Sequence, residues 1–391
     1  MIKFSKKEKI IANKIRELKS NAGSHSPSVF TLSEELPDLD IKIDACFLSN
    51  PYATNLFLEY LDKELIVTGR LRDVMEFYPS QNNVIGEVIS SSLDLNKKNI
   101  FVGNGAIEII QAVLHNFVSG SIVVNIPTFS SYYEFVNKNT KVIYYQLKKD
   151  EDYLLNPDDF IEFVKNTNPN SVVIINPNNP NGGYLTRSEL EHILKNISDV
   201  KNIIIDESFI HFAYEDDSLN INSATDLFDL YSNLIIIKSM SKDFGIAGIR
   251  AGYAVMSEDK VSSLLENGFL WNSSGLSEYF FTLYGKKHFF KKYNKYRKKY
   301  ILETQNFYSE LSKINSIKIY PTKANFVLLE LIDGSTSSDL VEKMLMKYGI
   351  YIRTGSDKIG LDGEFVRIAS RTKKENEKII LAIKDIFGNK K

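Results

Sequence analysis

Two segments of the 391-residue chain place residues capable of covalent chemistry directly after an apolar run. Residues 239–250 follow the apolar residues 235–237 and include Ser239, Ser241, Lys242 and Arg250. Hydroxyls and a guanidinium are phosphate ligands, and a lysine amine is a candidate for imine formation. Asp206 ends the apolar run 203–205. A carboxylate at that position needs a cation or a hydrogen bond, unless it simply caps a helix.

Two further segments have turn-forming residues after an apolar run. Gly103-Asn104-Gly105-Ala106 lies between a strand-like and a helix-like stretch. Glycines at a helix N-terminus let backbone N–H groups approach a phosphate, although an ordinary tight turn also explains them. Residues 176–183 contain Asn179 among prolines, asparagines and glycines, which predicts a rigid turn at a strand end.

A parallel sheet would bring these four segments together. From about residue 98, β-branched or aliphatic runs alternate with helical stretches; the runs cover residues 100–102, 121–126, 141–145, 171–175, 202–205, 234–237 and 252–255. Several are apolar nearly throughout, as strands covered on both faces are. We therefore expect an α/β fold with a three-layer αβα domain and a mostly parallel sheet, whose ligands bind at the carboxyl ends of the strands.

The pattern at both ends of the chain differs from this alternation. The first 20 residues have helical periodicity, and after about residue 260 three long helical stretches (286–312, 338–348 and 374–387) flank short strands. We predict an N-terminal helix and arm over residues 1–50 and a large domain over residues 51–270. A smaller C-terminal α+β domain is expected over residues 271–391.

Composition excludes several classes of function. The formal net charge of −1 gives no general argument for nucleic acid or an anionic membrane surface as a partner. The single cysteine, Cys46, excludes an intramolecular disulfide, and the five scattered histidines give no paired metal-ligand spacing, so no metal is expected. Since neither a signal peptide nor a membrane span is recognisable, we predict a soluble cytoplasmic protein.

The order of the four segments resembles the class I/II aminotransferase superfamily, enzymes of the aspartate-aminotransferase fold that use pyridoxal 5′-phosphate (PLP). The resemblance runs from about Leu48 to the C-terminus. It implies that Lys242 carries the cofactor as a Schiff base and shuttles protons. Asp206 would pair with the pyridine nitrogen and keep the ring an electron sink.

The same resemblance implies further cofactor contacts. Asn179 would hydrogen-bond the ring oxygen, and Phe129 would stack on the ring. The cofactor phosphate would be held by Asn104, Gly105, Ser239, Ser241 and Arg250. Tyr78 would reach the phosphate of a neighbouring subunit, which implies a homodimer with active sites at the interface. Arg367 would grip the substrate α-carboxylate in a bidentate pair.

Within the superfamily, the chain resembles threonine-phosphate decarboxylases and histidinol-phosphate aminotransferases, which share a preference for phosphorylated substrates. Aminotransferases of this type usually have Tyr three residues after the Asp, whereas this chain has Phe209. The C-terminal residues 353–372, including Arg353 and Arg371, resemble the decarboxylase signature. His25 precedes residues 48–51 by a distance similar to that of a phosphate-contacting His in the decarboxylases. Asn50, in the segment 48–51, is a further predicted substrate-binding residue.

These features favour decarboxylation. The Cα bond held perpendicular to the cofactor ring breaks, so the groups that hold the substrate select the reaction. Arg353, with His25 and Arg371, is the predicted clamp for a substrate phosphate, although Arg371 could instead form a structural salt bridge. We expect a small phosphorylated amino acid as substrate, with O-phospho-L-serine favoured over O-phospho-L-threonine.

Two alternatives stay open at this point. One is an aminotransferase of a phosphorylated small molecule such as histidinol phosphate, because loss of the Tyr at position 209 need not abolish transamination. The other is a non-catalytic PLP-binding sensor, as in transcription regulators that carry this fold behind a DNA-binding domain. The residues before position 40 are too few for a winged helix, which disfavours the sensor.

Overall fold

The computed structural model describes residues 5–21, 23, 26–270 and 272–388. The helices are α1 (Lys6–Asn21), α2 (Val29–Glu35), α3 (Pro51–Leu61), α4 (Leu71–Glu76), α5 (Asn82–Leu93), α6 (Ala106–Asn116), α7 (Ser131–Glu134), α8 (Pro157–Thr167), α9 (Arg187–Asn196), α10 (Glu258–Glu266), α11 (Gly275–Tyr284), α12 (Lys287–Leu311), α13 (Ser337–Tyr348) and α14 (Lys373–Gly388). The strands are β1 (Ile43–Asp44), β2 (Ile100–Asn104), β3 (Ser121–Ile126), β4 (Lys141–Gln146), β5 (Ser171–Ile175), β6 (Asn202–Asp206), β7 (Leu234–Ser239), β8 (Ala251–Val255), β9 (Ile317–Ile319), β10 (Phe326–Leu331), β11 (Ile350–Tyr351), β12 (Arg353–Thr354) and β13 (Phe365–Ala369).

A seven-stranded sheet forms the centre of the large domain, in the order β2-β8-β7-β6-β5-β3-β4. Only β8 runs antiparallel to its neighbours. Successive side chains of a strand point to opposite faces, so Ile203 and Ile205 pack in one core and Ile204 packs in the other. Because both faces of the sheet are buried, its strands need apolar residues at successive positions and not an alternation of apolar and polar residues. The architecture confirms the predicted three-layer α/β fold.

The smaller C-terminal unit is built on the antiparallel sheet β12-β13-β10-β9, which packs against α13, and α14 packs against α13 and α12. The N-terminal arm joins this unit, because β1 pairs in parallel with β11. Arg16 of α1 also donates a hydrogen bond of 2.5 Å to the buried Glu342 of α13. The division at residues 50 and 270 stays a prediction.

Helix α12 connects the two units. It spans 25 residues and is the element that the sequence places at residues 286–312. Phe289 and Tyr293 near its start belong to the core beneath the large sheet, while Phe307 and Leu311 near its end belong to the core of the small unit. The aromatic residues of α12 therefore face two cores, and most of its lysines lie on the solvent side, whereas Arg297 is buried.

A buried ion pair lies beneath the strand ends that carry Asp206 and Lys242. Lys238 and Asp243 are 2% and 0% exposed. The Lys238 ammonium donates hydrogen bonds to the Asp243 carboxylate and, at 2.9 Å, to the carbonyl oxygen of Glu207. One ammonium thus links the residue after Asp206 to the residue after Lys242.

We expect Lys238→Met to destabilise the protein by about 3–5 kcal/mol, because it leaves the Asp243 carboxylate buried without a cation. Urea unfolding followed by circular dichroism measures the loss. The control is Lys292→Met, which removes the exposed 3.1 Å pair with Glu59 and should cost about 1 kcal/mol or less. Equal losses in the two variants would contradict a stabilising role for the buried pair.

Candidate active site

A cavity of about 260 Å³ opens where the carboxyl ends of the parallel strands meet the small unit. Its lining comprises Ser26, Cys46, Phe47, Leu48, Ala106, Ile107, Ile110, Phe129, Ile175, Asn179, Asp206, Ser208, Phe209, Ser239, Ser241, Lys242, Arg250, Arg353, Lys358 and Arg367. Nine of the residues that sequence reasoning selected are among them: Phe129, Asn179, Asp206, Ser239, Ser241, Lys242, Arg250, Arg353 and Arg367.

Lys242 follows β7 and is half-buried in the cavity wall. Its backbone carbonyl accepts a hydrogen bond of 3.0 Å from the Asn50 N–H, which ties it to the start of α3. Burial lowers the pKa of the Lys242 amine to about 8, and the nearby Arg367 and Arg250 act in the same direction. An amine with this pKa is more available as a nucleophile near neutral pH than an ordinary lysine is.

Asp206 ends β6 and is buried beside the cavity. Its carboxylate accepts a 2.8 Å hydrogen bond from the Tyr132 hydroxyl and another of 2.8 Å from the Ser208 N–H. Burial raises the pKa of Asp206 despite these hydrogen bonds. A buried carboxylate in this state favours a cationic partner inside the cavity, such as a protonated pyridine nitrogen.

An anion cradle lies at the N-terminus of α6. Gly105 caps this 11-residue helix with φ +76°, and a Cβ placed there would lie 2.5 Å from Nη2 of Arg250. The Arg250 guanidinium donates to the carbonyl oxygens of Ala247 at 2.9 Å and Asn104 at 3.5 Å. Glycine therefore lets a cation approach helix N–H groups that already favour an anion. Ser239 and Ser241 are buried and line the same cavity as Arg250.

Arg367 of β13 holds one donor without a partner. Its Nη1 donates to Oδ1 of Asn179 at 2.7 Å, and its Nη2 donates to the Cys46 carbonyl at 2.9 Å. Its buried Nε has no hydrogen-bond partner among the described residues. Burial, reinforced by Arg353, lowers the pKa of Arg367 to about 9. An anion in the cavity would satisfy the orphaned N–H and offset the desolvation of the charge.

Arg353 of β12 forms a second cationic position. It donates to the Ser26 hydroxyl and, at 2.7 Å, to Oδ2 of Asp357. Lys358 lies in the same loop and also lines the cavity.

Five of the predicted residues that the structure describes lie outside the lining. Asn104 is exposed at the end of β2, and its N–H donates to Glu108 at 2.6 Å; Gly105 forms the base of the cradle described above. Asn50 caps α3 through its Oδ1, although its buried Nδ2 has no partner among the described residues. Arg371 donates to Ser49 at 3.1 and 3.3 Å, and Tyr78 is 91% exposed. The predicted phosphate ligand His25 lies outside the described residues.

Sequence reasoning missed four polar residues of the site. Tyr132 anchors Asp206, while Ser26, Ser208 and Lys358 line the cavity. Ser26 follows the predicted His25, and Ser208 lies two residues after Asp206, so proximity to selected motifs could have identified both. Tyr132 lies three residues after the predicted Phe129, and Lys358 lies within the signature segment 353–372, but neither residue type pointed to a role until the fold placed it at the site.

These features fit PLP. The aldehyde needs an unprotonated amine, the pyridine nitrogen needs a buried carboxylate and the phosphate needs a helix N-terminus with an arginine. Lys242, Asp206 and the cradle of Gly105 and Arg250 supply them. The half-buried ring of Phe129 lines the same cavity and offers a stacking surface.

Comparison with known proteins agrees with the fold. The chain belongs to the aminotransferase class I and II family, whose sequence profile matches residues 76–383. It is 60% identical over 387 residues to L-serine phosphate decarboxylase Cj1436c of Campylobacter jejuni, with 99% of each chain covered. It is 50% identical over 374 residues to L-serine phosphate decarboxylase of Sulfurospirillum multivorans, with 96% and 95% covered.

A solved structure of a decarboxylase from Sulfurospirillum multivorans superimposes on the chain with a TM-score of 0.95. The sequence identity is 48%, and 98% of each chain is covered. Within the described ranges, no helix combines the length and apolar character of a membrane span. The same ranges contain no group of three or more His, Cys, Asp or Glu side chains suited to a metal ion.

We expect Tyr132→Phe to weaken PLP binding about tenfold, because a hydrogen bond to a charged group contributes roughly 1.5–3 kcal/mol. Loss of the hydroxyl also raises the pKa of Asp206 further and so disfavours its ionised form. Spectroscopic titration of the PLP-free protein gives the dissociation constant. Tyr133→Phe is the matched neighbour and should leave it unchanged; equal effects of the two variants would contradict the role assigned to Tyr132.

Proposed function

We propose that the chain is a PLP-dependent decarboxylase of a small O-phosphorylated amino acid, converting O-phospho-L-serine to phosphoethanolamine and carbon dioxide. The observation that carries this proposal is the full-length similarity, at 60% and 50% identity, to two L-serine phosphate decarboxylases. The cavity supports it independently, since it combines a lysine amine with separate positions for several anions. The cytoplasm is the proposed compartment, where the thiol of Cys46 would stay reduced.

Bound PLP would supply an aldehyde to the Lys242 amine and an electron-withdrawing ring to the substrate Cα. Asp206, fixed by Tyr132 and the Ser208 N–H, would hold a proton on the ring nitrogen. Gly105, Ser239, Ser241 and Arg250, with the predicted Asn104, would bind the cofactor phosphate. Asn179 would contact the ring oxygen and Phe129 would cover the ring. Near neutral pH, a Lys242 amine with a pKa of about 8 is available in its protonated form to donate the proton that takes the place of carbon dioxide at Cα.

The substrate would be held at two ends. Arg367 would bind the α-carboxylate, and its orientation is fixed by hydrogen bonds to Asn179 and Cys46. Arg353 would bind the substrate phosphate, with the predicted His25, Arg371 and Asn50 as further contacts. Two anchors fix the rotation about Cα and so determine which of its bonds is aligned to break. Arginine suits both anchors because its planar fork matches carboxylate and phosphate oxygens.

We expect the PLP-loaded protein to release carbon dioxide catalytically from O-phospho-L-serine when no keto acid is present. The cofactor absorbance should return to its starting spectrum after turnover, and O-phospho-L-threonine should react more slowly. Lys242→Ala is the inactive control. Conversion of the cofactor to its amine form, with turnover only after a keto acid is added, would establish an aminotransferase and overturn the proposal.

We also propose that the protein acts as a homodimer with Tyr78 of each subunit reaching the other subunit's cofactor phosphate. Tyr78 lies just after α4 and is almost fully exposed in one chain. Met75 and Phe77 beside it are also exposed. Exposed apolar residues grouped around a predicted cofactor ligand favour a surface that a second copy covers.

Mixing two impaired variants tests the shared site. Tyr78→Ala and Lys242→Ala should each show little activity alone. After subunit exchange in an equal mixture, about a quarter of the wild-type activity should return, because half of the dimers are mixed and each mixed dimer has one complete site. Analytical ultracentrifugation shows whether the protein and its variants are dimers in solution. A mixture no more active than the average of the two variants would exclude a site completed by Tyr78 of the partner.

A further inference from the structure

The cavity contains a second lysine, Lys358, that has no role in the proposed reaction as described so far. Lys358 is only 8% exposed and lines the cavity. Its ammonium is not hydrogen-bonded or ion-paired with any residue that the structure describes. Burial, reinforced by Arg353, lowers the pKa of Lys358 to about 8. A desolvated ammonium without a partner costs free energy, so its presence in a ligand cavity needs an explanation.

The loop that carries Lys358 is held firmly in place. The Gly355 N–H donates to the Phe365 carbonyl at 2.7 Å, and the Lys358 N–H donates to the Gly355 carbonyl at 3.0 Å. Gly360 has φ +89°, and a Cβ there would lie 2.9 Å from the Pro127 nitrogen, so this backbone packs directly on the end of β3. Gln146 fixes the same turn by donating to the Gly360 carbonyl at 3.1 Å. The backbone therefore directs Lys358 to the cavity and not to solvent.

The charges around the cavity are strongly unbalanced. Its described lining has five cationic side chains, Lys242, Arg250, Arg353, Lys358 and Arg367, against the single carboxylate of Asp206. Asp357, outside the lining, pairs with Arg353 at 2.7 Å. Such a cavity is prepared for ligands with several negative charges.

By their positions, the cations other than Lys242 can be assigned to three expected anions: the cofactor phosphate, the substrate carboxylate and the substrate phosphate. Arg250 belongs to the cradle at the N-terminus of α6, and Arg367 is oriented by Asn179. Arg353 and Lys358 remain, and both come from the β12–β13 segment of the small unit. Asp357 neutralises part of the Arg353 charge, so Arg353 alone is a weak match for a dianionic phosphate. Lys358 adds a compact charge with three donors, and this charge has no partner within the part of the chain that the structure describes.

We propose that Lys358 is a second cationic ligand of the substrate phosphate and that, with Arg353, it makes the enzyme selective for amino acids with a phosphorylated side chain. This inference rests on the proposed function and assigns its specificity to a residue. The role is one of binding: Lys358 holds the phosphate end, while Lys242 carries the proton at Cα.

The test compares Lys358→Met and Lys358→Arg with wild-type PLP-loaded protein. Calorimetric titration with phosphoethanolamine, which has a phosphate but no carboxylate, reports the phosphate position. Inhibition by propionate, which has a carboxylate but no phosphate, reports the Arg367 position. Lys291→Met is the control, because Lys291 is an exposed lysine of α12.

We expect Lys358→Met to raise the dissociation constant of phosphoethanolamine about tenfold or more and to leave inhibition by propionate unchanged, because only a charge-assisted contact to phosphate is lost. Lys358→Arg should recover part of the affinity, and Lys291→Met should behave as wild type. The melting temperature of ligand-free Lys358→Met should stay the same or rise, since an unpaired buried charge is removed. A structural role would lower it.

The outcomes separate this inference from the proposed function. If wild type decarboxylates O-phospho-L-serine but Lys358→Met binds phosphoethanolamine normally, the inference is overturned and the decarboxylase stands. If wild type releases no carbon dioxide but Lys358→Met has a reduced affinity for phosphoethanolamine, the role of Lys358 as a phosphate ligand is supported and the proposed decarboxylase function is overturned. Equal loss of both probes, or a lowered melting temperature, would also overturn the phosphate role.

Discussion

The geometry of the candidate site depends on the buried ammonium of Lys238. It connects two strand ends, because it binds the Glu207 carbonyl on one side and the Asp243 carboxylate on the other. Each of these residues directly follows a group that the proposed chemistry uses. The contacts of one buried ammonium therefore hold together the two chain segments that carry Asp206 and Lys242. Reacting groups held in this way need little reorganisation when substrate binds.

The same support has an electrostatic consequence. Burial together with Arg367 and Arg250 lowers the pKa of Lys242 to about 8, although Asp206 and, less strongly, Asp243 raise it. Lys358 and Arg367 are shifted downward for the same reason, to about 8 and about 9. A ligand-free cavity that is rich in desolvated cations is less stable than an apolar one would be. Binding of anionic ligands offsets this cost, so part of the folding stability is given up for affinity.

Sequence alone was sufficient for elements whose signal is local. The strands β3 and β5 have the predicted bounds because strands buried on both faces are apolar throughout. Asp206 was identifiable because it ends such a strand, and Lys242 because it follows one closely. Tyr132 was not, because its partner lies 74 residues away and nothing near it in the sequence indicates a buried carboxylate. Lys358 was missed for a related reason: a lysine in a polar loop resembles any surface lysine until the backbone is known.

Phe209, the residue that separates this chain from the usual aminotransferase pattern, has a structural consequence that its position in the sequence does not reveal. Its buried ring packs edge-on against Phe326, with centroids 5.2 Å apart and an interplanar angle of 83°. The Arg367 guanidinium lies over the other ring of this pair, with its Cζ 5.5 Å from the Phe326 centroid. Phe209 thus supports the platform on which the proposed carboxylate ligand rests. Phe in place of the usual Tyr therefore has two effects: the cavity has one hydroxyl fewer, and the packing beneath the proposed carboxylate ligand Arg367 is different. The second effect matters for decarboxylation, because that reaction depends on how the bond between Cα and the carboxylate is oriented.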